Sequence, residues 1–561
     1  MRHVLAGFLA LLLVQIPVLS WAAPPTPGPR MVAEWEPALG TLIRWPLGIP
    51  MELAVALARQ DTLYTLVEPH QQQQAANAFS AAGIDLGLVV FINGNLWSMW
   101  TRDWGPQAIF DATGTMAYAD PWFDGYPWVP GCEPGPPPVN NSARQGRGYE
   151  EDDALPAVVA AHLGVNLAPL PAYLTGGNIM TDGLGTGWST QQMLEENAPY
   201  LSEAAFRQQA AQIMGLTDYR MVIAPEVYGI QHIDCYAKLL DERTVLVKQV
   251  PAWHPEVDCC EQLASEFAGS TNSLGQPYQV VRIFCDVYDG SAAAAYTNSL
   301  ILNRKVFVPL FGIDADEPAL ETYRQAMSGY EVLGFPYGSW YDYDALHCRT
   351  MGIFDPGMLR LLHAPVAPEQ PHSVPVTITA YLDDRSGSGL PASQQVVRWR
   401  TVGQSSWQTV PLTSAGADTF VADIPAQGAG SAVEYRLEAT DGEGRQASLP
   451  RGVAPAAYSF TVMAVAPVPP LDQAALALTA VPNPFNPRVE LRLSGLASGT
   501  CRVTIHDLRG RCVREFVVGS APEQVTWDGT DQRGRAVPSG VYLATAQVGN
   551  RRTTTRLVLQ R

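Results

Sequence analysis

The chain of 561 residues is 47% hydrophobic and 16% charged. It is too long for one compact domain, and its apolar and aromatic content excludes a disordered chain. Acidic residues outnumber basic residues by 54 to 36, which gives a formal net charge of −18. A charge of this sign repels nucleic acid and anionic membranes, so we expect neither as a partner.

The N-terminal segment has the pattern of a secretory signal peptide. Two basic residues precede an apolar run over 4–19, and Ser20 and Ala22 suit cleavage near residue 22. We therefore predict a signal peptide over 1–22 and a secreted or cell-surface attached protein. A permanent anchor is the alternative, although the run is short for a spanning helix. No later stretch is apolar enough over a sufficient length, so the mature chain is predicted to lack a membrane span.

The eight cysteines do not amount to a disulfide scaffold in a chain of this length. There is no C-x-x-C pair and no Cys/His grouping with zinc spacing, so no metal site is predicted. If one cysteine stays free for chemistry, seven remain, and these cannot all pair within the chain. The sequence leaves the pairing open.

Residues 31–364 alternate helical and strand patterns, which predicts an α/β domain. Apolar residues at helical spacing predict helices over 51–59 and 202–214. Short aliphatic runs predict strands over 88–92, 220–224, 244–250, 299–303 and 306–310. The Pro-rich and Gly/Arg-rich stretch over 128–153 is predicted to be a long surface loop.

The composition changes after His363, where a Pro-containing linker begins. Short alternating segments from Val374 onward predict an immunoglobulin-like β-sandwich over 372–463. A second Pro-rich linker over 464–470 leads to a last all-β unit, which we place at 478–561.

The last unit contains PNPFNP at 482–487, VTIHDLRGRCV at 503–513 and the turn-forming TWDGTD at 526–531. Together these motifs resemble C-terminal domains of exported bacterial proteins that are similar to the flagellar-hook-assembly protein. The resemblance implies a second β-sandwich that sorts or attaches the chain, with the export machinery as its partner. A simple stalk module is the alternative.

Two segments place polar side chains beside glycines. Asp103 lies in the stretch 100–106, where it would project from a strand end into a cleft or occupy an ordinary turn. Gly176, Gly177 and Asn178 lie in the stretch 174–186, where glycines let the backbone approach a ligand or simply form a loop. Neither stretch has phosphate-loop spacing, so nucleotide binding is not predicted.

Two later segments contain reactive side chains. If 229–235 is a strand, His232 and Asp234 share a face, which suits acid/base chemistry or, with a third ligand, a metal. Cys348 lies between His347 and Arg349, surroundings that favour a thiolate. A small buried structural cysteine is the alternative.

The order of these four motifs resembles the guanidine-modifying superfamily of deiminases and amidinotransferases. The stretches HIDCYAKLLDERTVLV (232–247), YTNSLILNRKVFVP (296–309) and DALHCRTMG (344–352) look like bacterial peptidylarginine deiminases, with agmatine deiminases as close relatives. The resemblance implies that 31–364 is a five-bladed pseudo-symmetric α/β propeller, the pentein fold. Two all-β immunoglobulin-like sandwiches would follow it.

The resemblance also implies a role for each site residue. Asp103 and Asp234 would clamp the planar guanidinium with bidentate hydrogen bonds. Cys348 would attack the guanidino carbon and form a covalent thiouronium. His232 would protonate the departing ammonia and then activate water, and Asn298 would support the nucleophile.

The remaining predicted contacts line the cleft. Gly176, Gly177 and Asn178 would shape its wall, and Trp104, like the other tryptophans of 97–128, would stack on the substrate or belong to the core. No metal or organic cofactor takes part in the implied chemistry, although a structural cation remains open.

One departure concerns the substrate. The bacterial peptidylarginine branch carries two arginines shortly after the first Asp, which grip the carboxylate of a C-terminal arginine. Here the stretch 120–128 reads DPWFDGYPW and contains no arginine, although Arg144 or Arg147 in the following insert could substitute. Specificity for C-terminal arginine is therefore not predicted.

The predicted function is an exported hydrolase that converts peptidyl or protein arginine to citrulline plus ammonia. Agmatine or another small guanidine is the alternative substrate, which the export signal disfavours. A catalytically silent surface binding protein is the alternative outside the enzymes. Transfer of the amidino group to an amine would need an acceptor pocket that the sequence does not reveal.

Overall fold

The computed structural model describes residues 28–126, 129–132, 149–198, 200–225, 228–452, 456–463, 476–494, 501–518, 524–549 and 551–561. The chain divides into two compact units, one ending at Val462 and the other comprising 463–561. The predicted signal peptide, the linker over 464–470 and both Arg144 and Arg147 lie outside the described residues. The predicted domain boundaries stay predictions.

The predicted amphipathic helices are confirmed. The helix Glu203–Met214 begins at Ser202, whose hydroxyl accepts from the Ala205 amide at 3.3 Å, and it ends at Gly215 with a left-handed φ of 70°. It buries Phe206, Ala210 and Met214, which lie on one helical face. The other α-helices are Met51–Leu57, Gln72–Ala81, Thr101–Trp104, Tyr149–Asp153, Leu155–Leu163, Gln192–Asn197, Val257–Ala268 and Asp316–Ala326.

Five sheets of three or four strands repeat one unit in the described part of 30–354. In each, an antiparallel pair is followed by a helical crossover to a parallel strand. In sheet order, the strands are Arg30–Met31, Gln107–Phe110, Met116–Trp122 and Asn166–Tyr173; Asp218–Val222, Thr186–Thr190 and Met180–Thr181; Ala237–Leu239, Thr244–Gln249 and Gln279–Phe284; Leu300–Leu302, Lys305–Leu310 and Glu331–Pro336; Met351–Phe354, Ala38–Arg44, Thr62–Val67 and Val89–Asn93.

Short turns precede the first strand of the antiparallel pair in every one of these sheets. Four are single helical turns, at Thr101–Trp104, Gly176–Asn178, Ile233–Cys235 and His347–Arg349, and the fifth contains Asn298. The chemistry-bearing motifs of the sequence therefore occupy equivalent places in five repeats of one unit. Two further strand pairs lie among the connections, Val129–Pro130 with Tyr228–Gly229 and Val287–Asp289 with Ala292–Ala293.

The rest of the first unit is all-β. Two sheets enclose a core that includes Trp399, Tyr435 and Phe460. Leu359–Leu362, from the end of the predicted α/β domain, pairs with Val376–Asp384 and so joins this region. The further strands are Glu369–Gln370, Val396–Thr401, Gln408–Pro411, Thr413–Gly416, Thr419–Ile424, Ala432–Thr440, Gln446–Leu449 and Tyr458–Val462.

The second unit is also built from two sheets around one core, in which Trp527 is fully buried. The hydroxyl of Tyr542 donates to the carbonyl oxygen of Pro538 at 2.7 Å, which ties a strand to the turn before it. Its strands are Ala477–Val481, Val489–Ser494, Cys501–Asp507, Cys512–Val518, Gln524–Trp527, Gly540–Val548 and Arg551–Leu559.

One structural feature corrects a sequence prediction, and a second settles a point that the sequence left open. The described end of the insert over 128–153 is not a surface loop, because Tyr149–Asp153 is helical and Asp152 is buried. Cys132 forms a disulfide bond with Cys259, a pairing that the sequence left open. Among the described residues, no helix combines the length and the apolarity that crossing a bilayer requires.

Candidate active site

Three of the predicted site residues converge on Gly177. A Cβ atom placed on this glycine would lie 2.6 Å from Asp103 Oδ1, 2.8 Å from His232 Nδ1 and 3.2 Å from Asp234 Oδ2. At distances below 3.0 Å an added side chain would displace these groups, so the glycine is needed to keep them in this arrangement. Gly177 therefore forms the floor on which two carboxylates and an imidazole meet.

Cys348 lies beside this cluster and is held by Asn298. The Asn298 Nδ2 atom donates to Cys348 Sγ at 3.2 Å, while its Oδ1 accepts from the backbone amides of His347 at 2.8 Å and Cys348 at 3.3 Å. One buried amide thus orients both the thiol and the turn that carries it. The structure thus places Asn298 against Cys348, and its supporting role in catalysis stays a prediction.

The turn at His347–Arg349 is fixed from its other side. The Arg349 guanidinium is buried and forms two bonds with Asp344, at 2.9 and 2.7 Å. It also donates to the carbonyl oxygens of Gly48 and Ser339, at 2.7 and 2.6 Å. The planar guanidinium thus donates four hydrogen bonds in fixed directions, which restrains the backbone of the turn that contains Cys348.

Gly176 and Asn178 contact neighbouring segments of the protein. A Cβ on Gly176 would collide with the carbonyl oxygen of Arg102, so this glycine permits close packing against the Asp103 helix. The Asn178 Oδ1 atom accepts from the amides of Thr190 and Ile233, at 3.0 and 3.2 Å. Asn178 therefore ties the glycine turn to the His232 segment, and its place in the wall of a cleft stays a prediction.

Asp103 lies in the short helix Thr101–Trp104, not at the end of a strand as the sequence predicted. Its Oδ2 atom accepts from the Tyr126 hydroxyl at 2.8 Å, and its Oδ1 atom lies 3.6 Å from His232 Nδ1. Trp104 is 2% exposed in the core, and its indole N–H donates to the Ser98 hydroxyl at 3.0 Å. The predicted substrate contact of Trp104 is therefore corrected to a core residue that supports the helix.

His232 and Asp234 do not lie on one face of a strand, so that prediction was wrong. His232 has extended backbone and precedes the 3-10 turn Ile233–Cys235. The turn still brings both side chains to Gly177. Asp234 Oδ2 lies 2.7 Å from His347 Nδ1 and 3.8 Å from Cys348 Sγ, which connects it to the nucleophile's own turn.

Comparison with known families decides what this constellation belongs to. A sequence model of the Porphyromonas-type peptidyl-arginine deiminases matches residues 30–353, which is more than half of the chain and includes every site residue named above. The chain belongs to this deiminase family. A model of the FlgD Ig-like domain matches 486–551, within the second unit.

Individual relatives of this deiminase are distant. A candidate agmatine deiminase of Vibrio parahaemolyticus is 24% identical over 34% of this chain, and the match spans only 59% of that protein. One of Streptomyces coelicolor is 26% identical over 53% of this chain and 90% of its own length. A solved structure of a candidate agmatine deiminase has a TM-score of 0.51 at 20% identity, covering 58% of this chain and 96% of that one, which shows a shared fold.

The pKa values of the two carboxyl groups of the site are shifted in opposite directions. Burial and the neighbouring Asp234 raise the pKa of Asp103 well above its usual value, and the Tyr126 hydroxyl only partly offsets this. Burial also raises the pKa of Asp234, but the hydrogen bond and charge of His347 outweigh it, so its pKa is lowered. Asp103 therefore keeps its proton to a higher pH than Asp234 does.

The base and the nucleophile are both uncharged near neutral pH. Burial lowers the pKa of His232 to about 4, although Asp234 opposes the shift. The Cys235 thiol tends to lower the pKa of Cys348, but burial and the charges of Asp234 and Asp103 raise it to about 12. The resting pair is thus a neutral imidazole and a protonated thiol.

Sequence reasoning missed three neighbours of the site. Tyr126 contacts Asp103 and packs its ring 5.7 Å from that of His232. Cys235 shares the Asn298 Nδ2 donor with Cys348, at 3.7 Å. Glu34 bonds to His347, although 313 residues separate them. No local pattern marks Glu34, whereas Tyr126 and Cys235 belong to stretches that the motifs had already singled out.

The site offers little to a metal ion. Within the part of the chain that the structure describes, no group of three or more His, Cys, Asp or Glu side chains is arranged to hold one. The carboxylates at Gly177 instead face a histidine and a thiol. Two carboxyl groups placed together in this way suit a planar organic cation that donates hydrogen bonds on two sides.

Proposed function

We propose that this protein hydrolyses the guanidinium group of agmatine or a comparable small guanidine, releasing ammonia. The observation that carries the proposal is the convergence on Gly177 of Asp103, His232 and Asp234, with Cys348 held beside them by Asn298. These groups supply a carboxylate clamp, an acid/base and a nucleophile, which is the set that deimination needs.

Binding would itself prepare the nucleophile. A guanidinium between Asp103 and Asp234 places a positive charge beside both carboxyl groups, which favours their ionised forms. The same charge offsets the repulsion that raises the pKa of Cys348. The neutral His232 can then accept the thiol proton, and the Cys348 thiolate attacks the guanidino carbon to form a tetrahedral adduct.

The tetrahedral adduct would then break down to products in two steps. The His232 imidazolium gives its proton to the departing nitrogen, the C–N bond breaks, and ammonia leaves a cationic thiouronium on Cys348. His232 next takes a proton from water, whose oxygen attacks the same carbon. Cleavage of the C–S bond and loss of the adduct's hydroxyl proton release the ureido product. Of the two protons that water supplied, one restores the Cys348 thiol and the other leaves to solvent, where ammonia takes it up.

An aromatic cluster supports a substrate without a carboxylate. Tyr126 makes edge contacts with Trp100, Phe123 and Tyr149, at ring distances of 5.3 to 5.9 Å. Aromatic rings suit a methylene chain or an amine better than a carboxylate. The Tyr126 hydroxyl on Asp103 marks where a guanidinium N–H would bind. Agmatine differs from arginine in lacking the carboxylate, and the named relatives are candidate agmatine deiminases.

Peptidyl arginine is the second candidate substrate. It is favoured by the description of the matching family and by the predicted export signal, because protein substrates are abundant outside the cell. We further propose that the protein is secreted or attached to the cell surface. The five repeated sheets would be the blades of a pentein propeller, and the two all-β regions would be immunoglobulin-like modules for export or spacing.

A substrate panel tests these proposals. Ammonia release would be measured with agmatine, free arginine, a peptide with internal arginine and the same peptide ending in arginine, with Cys348→Ala as the control. Turnover of agmatine alone supports the first proposal, and turnover of a peptide moves the assignment to the second. Full activity in Cys348→Ala would contradict the covalent mechanism in both.

A further inference from the structure

Glu34 lies outside the predicted site but at the centre of a partly buried ionic network that reaches it through His347. Its Oε1 atom accepts from the Ile301 amide at 2.7 Å and lies 2.9 Å from Lys238 Nζ. Its Oε2 atom lies 2.8 Å from His347 Nε2. Three segments that are distant in sequence therefore meet on one carboxylate.

The His347 ring connects Glu34 to Asp234. Its Nδ1 atom lies 2.7 Å from Asp234 Oδ2, so each ring nitrogen faces a carboxylate oxygen. Burial raises the pKa of both carboxyl groups, but the positive charges of Lys238 and His347 outweigh it and hold both below their usual values. The ring is therefore held from both sides by short contacts with carboxylate oxygens.

This ring sets the direction of the Asp234 carboxylate. Among the hydrogen bonds of Asp234 in the described structure, the one from His347 is the shortest, compared with 3.6 Å from Cys235 Sγ and 3.8 Å from Cys348 Sγ. The His347 ring, in turn, has its far nitrogen fixed by Glu34. A change in the position of Glu34 should therefore move the His347 ring and, through it, the Asp234 carboxylate.

We propose that Glu34 is a positioning residue, which orients the Asp234 carboxylate toward the guanidinium by holding the His347 ring between the two acids. The inference deepens the proposed function and rests on the role of Asp234 in it. Charge-assisted bonds of this length have strict geometry, so a displaced ring displaces the carboxylate that it holds.

Glu36 provides a matched control two residues away. It is 3% exposed and forms ion pairs with Arg30 at 2.7 Å and Arg360 at 2.6 Å. It also accepts from the Ala33 amide at 3.0 Å. These partners lie outside the site, so Glu36→Gln removes a comparable buried charge without reaching Asp234.

The test measures guanidine binding apart from turnover. Agmatine affinity would be measured by calorimetry in the Cys348→Ser chain, alone and with Glu34→Gln or Glu36→Gln, and thermal unfolding would be recorded for each. We expect Glu34→Gln to weaken binding about 10- to 100-fold, the range for one lost hydrogen bond to a charged group. Glu36→Gln should lower the unfolding temperature and leave the affinity unchanged.

A double-mutant cycle tests whether Glu34 acts through His347. Glu34→Gln should add no further loss of affinity in a chain that already carries His347→Gln, because the connection is then already broken. If Glu34→Gln does not fold, Glu34→Asp replaces it, since it keeps the charge for Lys238 but is too short to reach the ring. When Glu34→Gln is introduced into the chain that retains Cys348, KM should rise by a larger factor than kcat falls.

The outcomes separate the inference from the proposed function. Equal affinities in the parent, Glu34→Gln and Glu36→Gln chains, or fully additive losses in the cycle, would overturn the role of Glu34 alone. A parent chain that neither binds nor turns over any guanidine would overturn the proposed function, and the role of Glu34 with it.

Discussion

Gly177→Ala is the substitution that most directly tests the geometry of the site. Ordinary van der Waals contact of a Cβ begins near 3.4 Å, whereas the added methyl group would lie 2.6 Å from Asp103 Oδ1 and 2.8 Å from His232 Nδ1. These atoms must therefore withdraw by about 0.8 and 0.6 Å. Because both are side-chain ends, rotation relieves the clash and the backbone can stay in place.

The expected effect is a large loss of activity with a small loss of stability. A misplacement of about 1 Å can cost about 100-fold in rate, so kcat/KM for agmatine should fall about 10- to 100-fold. Overpacking costs about 1–3 kcal/mol, and a clash with movable atoms should lie at the lower end. Ammonia release and thermal unfolding measure the two quantities separately.

Gly338→Ala is the matched control for this prediction. A Cβ at Gly338 meets no atom within 4 Å, and its backbone is not left-handed. This variant should change stability by no more than about 0.5 kcal/mol and leave kcat/KM unchanged. Wild-type activity in Gly177→Ala, or activity lost only through unfolding, would refute the reasoning about the shared floor of the site.

Three further predictions concern the electrostatics and anchoring of the site. Asn298→Ala should lower kcat and cost about 1–3 kcal/mol, because the buried Cys348 amide loses its acceptor; an unchanged unfolding free energy would contradict this. Because the pKa of the Cys348 thiol is about 12, the reactive thiolate fraction should rise about tenfold per pH unit from pH 7 to 10. The rate of Cys348 alkylation by iodoacetamide, followed by mass spectrometry, should rise by the same factor. A rate that does not change with pH would exclude the protonated resting thiol. Burial lowers the pKa of His232 from 6.5 to about 4, so the unfolded chain binds this proton more tightly than the folded chain does. The contribution of His232 to the free energy of unfolding is therefore fully present above pH 6.5 and falls by about 3 kcal/mol as the pH drops to 4. Denaturant unfolding of His232→Asn should lack that part of the pH dependence.

Local patterns were enough to predict much of the α/β region. The helix Glu203–Met214 and the strand Thr244–Gln249 follow from apolar spacing and aliphatic content, which depend on neighbours in the chain. The site's main residues came from ordered motifs that resemble a known family. Their roles stay predictions, since the structure gives their positions and not their chemistry.

Other features depend on contacts that no local pattern encodes. His232 and Asp234 share the floor of the site through a 3-10 turn, whereas a spacing of two residues had predicted a strand. Trp104 packs in the core and donates to Ser98, contacts that an aromatic-rich stretch cannot reveal. Glu34 reaches His347 only once folding has paired the strand Ala38–Arg44 with Met351–Phe354.

The most direct test of the account is ammonia release from agmatine by the purified full chain, with Cys348→Ala measured alongside. The account predicts turnover in the native chain, none in Cys348→Ala, and a covalent adduct on Cys348 detectable by mass spectrometry. Ammonia release that persists in Cys348→Ala, or a native chain that is inactive on agmatine and on every arginine peptide, would contradict it.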